Sequence, residues 1–183
     1  MVKRKHLDLL VLLLISTVVV SATAAVYYAM SMQTTATIGT AAVYFTEGSD
    51  SDGGVLTLGT NNTFAKLMLS AYPNVTLYYD QAANLTATMA KEVQLRHVSI
   101  TPNNEPSVAN FTSIVFKLIR ADGSQVGTLT YTTSGNTWIT PGAGSGFVSI
   151  ANGEKLAIRV EITAKAGSKA GVATSIDIAV DVR

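Results

Sequence analysis

The chain has 183 residues, no cysteine, two histidines and a near balance of charge, 13 Lys and Arg against 12 Asp and Glu. A disulfide framework is therefore excluded, there is no basic footprint for nucleic acid, and zinc or histidine-dependent chemistry has almost no side chains to draw on.

The first residues, Met1-Val2-Lys3-Arg4-Lys5-His6, are cationic. Residues 9–20 are apolar apart from Ser16 and Thr17, and Ser21-Ala22-Thr23-Ala24-Ala25 then supplies small side chains. This is the three-part layout of a secretory signal, and Ala22 and Ala24 place the expected cut after Ala24. The competing reading is a retained anchor: residues 9–30 form 22 uncharged positions, enough to span a bilayer at about 20 residues. Either route exports the bulk of the chain. Removal of residues 1–24 takes away Lys3, Arg4, Lys5 and Asp8, so the formal charge moves from +1 to −1, and the 159 residues that follow suit one domain. The expected organisation is a signal peptide over 1–24, an N-terminal arm over 25–35 and a β-sandwich domain over 36–183.

In the arm, Val26, Tyr28, Met30 and Met32 share one face if the segment is extended, and Gln33-Thr34-Thr35 follows as a polar break. Three readings of this stretch stand side by side. It is the tail of a membrane helix, the first strand of the same domain, or a strand that completes a neighbour's sheet by β-strand addition.

From Thr37 onward the dominant period is two. Strands are expected over 37–45, 74–79, 93–100, 111–120, 126–133, 147–151 and 155–165, with a last one at the C-terminal end. Ala121-Asp122-Gly123-Ser124, Ser134-Gly135-Asn136, Pro141-Gly142-Ala143-Gly144 and Asn152-Gly153 supply turns between them. The alternation is clearest where Leu156, Ile158, Val160 and Ile162 interleave with Lys155, Ala157, Arg159, Glu161 and Thr163, and again where Ile176, Ile178, Val180 and Val182 interleave with polar residues. The only helical candidate is 63–71. Eight or more short strands at this spacing predict an all-β fold, a jelly-roll-like β-sandwich.

The acidic stretch Glu47-Gly48-Ser49-Asp50-Ser51-Asp52-Gly53-Gly54 resembles the start of a calcium loop, with Asp50 and Asp52 as candidate cation ligands, although the rest of that pattern is missing. A solvated turn is the plainer expectation. Four N-x-[ST] triplets, at Asn61, Asn74, Asn84 and Asn110, are permissive for glycosylation on an exported surface. His97 is the one histidine left after processing and reads as a strand residue at a sheet surface. No H-E-x-x-H, G-x-S-x-G, G-x-G-x-x-G or phosphate-loop pattern accompanies it. No catalytic residue and no cofactor are expected.

Ala22-Thr23-Ala24-Ala25-Val26-Tyr27-Tyr28, then Thr37-Ile38-Gly39-Thr40-Ala41-Ala42-Val43, then an all-β body ending on a strand, resembles the camelysin-like biofilm-fibre family and its archaeal relatives, the bundling pili. The resemblance implies an exported jelly-roll subunit of a cell-surface filament. Residues 25–33 would be its donor strand, inserted into the next identical subunit, and neighbouring filaments could bundle. The aromatic pair is followed here by Ala-Met-Ser-Met, where bacterial members usually carry an acidic residue. Some of those members have been called metalloproteases, a label that His97 alone does not support. Archaeal type IV pilins also join an apolar run to a β domain. Their processing requires a basic residue followed by a small one, and Lys5-His6-Leu7-Asp8 does not supply it. The alternative from another class is a membrane-anchored monomer that binds a glycan or a surface partner with its loops.

Overall fold

The computed structural model describes residues 41–183, in which eleven strands carry nearly all the regular structure. In chain order these are β1 (Val43–Thr46), β2 (Leu56–Leu58), β3 (Ala65–Leu67), β4 (Thr76–Ala87), β5 (Lys91–Thr101), β6 (Phe111–Ile119), β7 (Gln125–Ser134), β8 (Thr137–Ile139), β9 (Val148–Ile150), β10 (Lys155–Ala164) and β11 (Ser175–Val182). One four-residue helix, α1 (Ser107–Asn110), precedes β6, and two single 3-10 turns flank β2. The expectation of a mostly β fold holds.

A six-stranded antiparallel sheet in the order β1-β4-β10-β6-β7-β8 curls into a half barrel. A three-stranded sheet, β11-β5-β9, and the β2-β3 hairpin accompany it. The reason lies in the alternation. In β10 every second residue from Leu156 to Ala164 is buried while its neighbours are not, and the partner strands β4 and β6 bring Leu85, Ile114, Phe116 and Leu118 to the same side. Val93, Leu95 and Ile100 of β5 and Ile150 of β9 belong to the same apolar core. Fully burying a side chain such as Leu156 contributes roughly 1.5–3 kcal/mol. On the other face of β10, Glu161 accepts from Lys117 at 2.6 Å and Asp80 from Arg159 at 2.6 Å.

The hairpin joining β6 to β7 turns where expected. Arg120 N–H bonds the Ser124 carbonyl at 2.9 Å, and Gly123 sits at φ +83°, a conformation that glycine adopts without steric cost. In β8, Trp138 is buried and its indole N–H donates to the Ser107 hydroxyl at 2.9 Å, which ties α1 to the edge of the large sheet.

Three expectations are corrected. The 63–71 segment is not helical: Asn61 and Asn62, at φ +59° and +56°, turn the chain into β3. Leu67, Leu69 and Ala71 then pack toward the core while Lys66, Met68 and Ser70 face out. The strand expected over 74–79 runs on to Ala87, because residues 82–87 are buried along their whole length, with residues 84–86 paired to β1 on one side and to β10 on the other. That stretch offers no alternation to read, since both of its edges and both of its faces are covered. The strand expected over 37–45 is seen as β1 alone, and residues 37–40 lie outside the described part.

Candidate functional site

Between the large sheet and β11 lies an apolar groove of about 1030 Å³, at the upper end of the range for ligand sites. Its floor is the inner face of the large sheet, formed by Ile114, Phe116, Ile158 and Ile162. One wall is β11, whose Ile176, Ile178 and Val180 are only partly buried against the core. The opposite lip is the segment from Phe64 to Pro73, where Phe64, Met68 and Tyr72 are each about 60% exposed although they line the groove. Phe64, Met68 and Tyr72 are thus gathered on one rim and not scattered singly.

The lip is held by hydrogen bonds as well as by packing. Tyr79 fastens it to β4 by accepting the Ser70 N–H at 2.9 Å and donating to the Ser70 carbonyl at 3.1 Å. The segment belongs to neither large sheet, and its place is set by its pairing with β2, by these bonds and by the packing of Leu67, Leu69 and Ala71.

Val26, Tyr28, Met30 and Met32, expected to form a donor strand, lie outside the described residues, as do the expected cleavage site and the apolar leader. Asp50 and Asp52 are not brought together as cation ligands. The Asp50 carboxylate accepts the Gln81 N–H at 3.1 Å, and its own N–H bonds the Gln81 carbonyl at 3.1 Å. Asp52 is exposed on a 3-10 turn. Gln81 lies where β4 carries extra residues against β10, between the pairs Ala83–Ile158 and Tyr79–Val160, so the acidic loop satisfies backbone groups that the bulge leaves over. A Cβ at Gly48 would meet the Gln81 carbonyl oxygen at 1.9 Å, which requires glycine at this approach. Among the described residues no group of three or more His, Asp or Glu side chains could hold a metal ion.

His97 is a strand residue, as expected, but it faces inward and not onto a sheet surface. A register shift in the pairing of β5 with β11 leaves Val98 as the extra residue, so His97 keeps the inward direction of Val93 and Leu95. Its Nδ1 lies 3.1 Å from the Tyr131 hydroxyl and the rings meet edge-on at 5.5 Å. Burial pushes the Tyr131 phenol above its ordinary range, so the phenol stays protonated at neutral pH and the pair is a hydrogen-bonded packing contact across the core.

The four sequons divide in two. Asn61 and Asn74 are exposed at left-handed turn positions, φ +59° and +60°. Asn84 and Asn110 are buried and committed: the Asn84 amide donates to the Glu47 carbonyl at 2.7 Å, and the Asn110 amide donates to the Pro106 carbonyl at 2.6 Å while accepting the Lys169 N–H.

A second hollow, of about 560 Å³, is ringed by Lys91, Glu92, Arg120, Glu154 and Arg183. Its charges are largely spent on one another. Arg120 pairs with Glu154 and donates to the Ser149 carbonyl, and Arg183 pairs with Glu92 while stacking on Phe147 at 4.0 Å.

The groove was the feature missed from the sequence. Its one signal is that Phe64 and Met68 alternate with Ala65, Leu67 and Leu69, so apolar residues occupy both faces of one short segment, as in a strand covered on both sides. No family model and no curated protein matches the chain.

Proposed function

We propose that this protein is the structural subunit of an extracellular filament. Copies polymerise head to tail, the arm of one, residues 25–33, filling the apolar groove of the next. The observation that carries this reading is the open groove itself, with apolar side chains on floor, wall and lip. An occupant must be apolar on one face, narrow and extended. The arm meets those terms, because Val26, Tyr28, Met30 and Met32 fall on a single face of an extended segment. The resemblance of the leader and the 37–43 stretch to camelysin-like fibre proteins and bundling pili supports the same reading, and a jelly-roll-like sandwich is its natural frame.

Each arm side chain buried contributes roughly 1.5–3 kcal/mol, of the same order as the roughly 1–2 kcal/mol per residue that ordering the arm costs. Side-chain burial is therefore not enough alone, and main-chain hydrogen bonds must complete the association. A head-to-tail contact that does not close on itself grows an open fibre. The chain has no cysteine, so insertion takes over the stabilising role of cross-links in many exported domains. No catalysis is assigned. The partners are identical subunits and, by bundling, neighbouring filaments, with the membrane involved only until the leader is removed. Where the host modifies asparagine, glycans belong on Asn61 and Asn74, whose side chains are exposed.

The test is electron microscopy of purified protein lacking residues 25–33. The expected result is folded protein without filaments, and normal filaments would overturn the reading.

A further inference from the structure

β11 leaves one backbone edge without a neighbouring strand among the described residues. The strand ends the three-stranded sheet, and its pairing with β5 tells which of its polar groups are already used. Glu92 and Arg183 exchange both of their bonds, Glu92 N–H to Arg183 C=O at 3.0 Å and Arg183 N–H to Glu92 C=O at 3.0 Å. In an antiparallel ladder bonded and non-bonded pairs alternate. Counting inward from this pair along the register, Asp181 opposite Gln94 and Ala179 opposite Arg96 are bonded pairs, while Val180 opposite Leu95 and Ile178 opposite His97 are not. Leu95 confirms the phase, because its N–H and C=O turn the other way, to the Ser145 hydroxyl at 2.9 Å and the Ser145 N–H at 2.8 Å. The N–H and C=O groups of Ile178, Val180 and Val182 therefore point away from β5, toward the free edge, and find no backbone partner among the described residues.

Ile178 and Val180 are also the residues whose side chains wall the groove. Sheet edges that must stay unpaired are usually blunted by lysine, proline or shortness. β11 has eight residues, against four in β1 and three each in β8 and β9, and carries neither lysine nor proline. A nine-residue arm matches its length.

We propose that the arm of a second copy enters as an added strand of the three-stranded sheet, forming its ladder on the outward N–H and C=O groups of Ile178, Val180 and Val182. This rests on the donor-strand reading and specifies where the main-chain bonds form. The apolar face of the arm then turns to the groove floor, and its alternate, more polar face turns to solvent.

Val180→Pro tests the assignment, because it removes an N–H that faces the free edge and spares the bonds of Ala179 and Asp181 to β5. The variant is expected to fold, by circular dichroism and cooperative melting, and to form no filaments, whereas Val180→Ala, which keeps the N–H, still polymerises. A folded Val180→Pro protein that polymerises like the unaltered chain overturns the β11 ladder. If the 25–33 deletion nevertheless abolishes filaments, the donor-strand reading survives that result, and if the deletion polymerises too, both fall. Should Val180→Pro fail to fold, synthetic peptides of residues 25–33 decide instead, by capping growth of the unaltered protein. N-methylation of the alternate residues whose N–H groups meet β11 is expected to weaken capping about tenfold for each bond lost, and the other alternate set to leave it unchanged. Equal capping by both methylated peptides overturns the proposal.

Discussion

At the scale of single residues, the acidic loop shows how a ligand-like pattern is used for structure. Asp50 has its carboxylate on the exposed Gln81 N–H, so Asp50→Ala hands that bulge donor to water and is expected to cost about 0.5–1.5 kcal/mol in urea unfolding. Added calcium should leave the melting temperature of the unaltered protein where it was. Asp181 carries a different consequence. Hydrogen bonding to Arg96, with that guanidinium's charge and the Gln94 amide adding to it, holds its carboxyl below the ordinary carboxylate value. A carboxylate depressed in the folded state stabilises at pH above its unfolded pKa, about 3.9, and loses that stabilisation as the pH falls through the lower folded value. Asp181→Asn is accordingly expected to lower the melting temperature slightly at pH 7 and not at all at the acid end, so that variant and parent converge once the pH lies below the folded value. The effect is small because the Arg96 side chain is about half exposed.

Among elements, β10 and β3 mark the two extremes of legibility. In β10 the buried and open positions alternate without a break from Leu156 to Ala164. Leu156, fully buried opposite Leu85, is the residue whose loss should be felt most directly. Leu156→Ala is expected to destabilise the protein by about 2–5 kcal/mol in chemical denaturation, from lost burial and the cavity left behind. The β2–β3 hairpin has three residues in each strand and belongs to neither large sheet. Its local pattern is too short to separate strand from helix, and left-handed Asn61 and Asn62 decide the matter by turning the chain. β8 went unread for a related reason: Thr137-Trp138-Ile139 is three residues long, and only the Trp138 bond to Ser107 reveals its inward face.

For the molecule as a whole, the groove connects fold to assembly. Its floor belongs to the core, so changes there disturb folding as well as docking. The lip does not, because Phe64 and Met68 are mostly exposed. The double variant Phe64→Ser, Met68→Ser is expected to keep the parent's melting temperature and to slow filament growth, followed by light scattering. Unaltered growth would show that the lip takes no part in holding the arm.

Period-two patterning by itself determined the mostly β class and most of the strands, because a strand with one buried face writes its orientation into every second residue. The tertiary structure alone decided that β4 runs on through residues 82–87, that His97 faces the core past the Val98 bulge, that Asn84 and Asn110 are buried while Asn61 and Asn74 are open, and that β11 stands at an edge beside an apolar groove. These are properties of strand order and register, which bring together residues far apart in the chain. Local alternation shows which way a side chain points, but not which strand, if any, lies beside it.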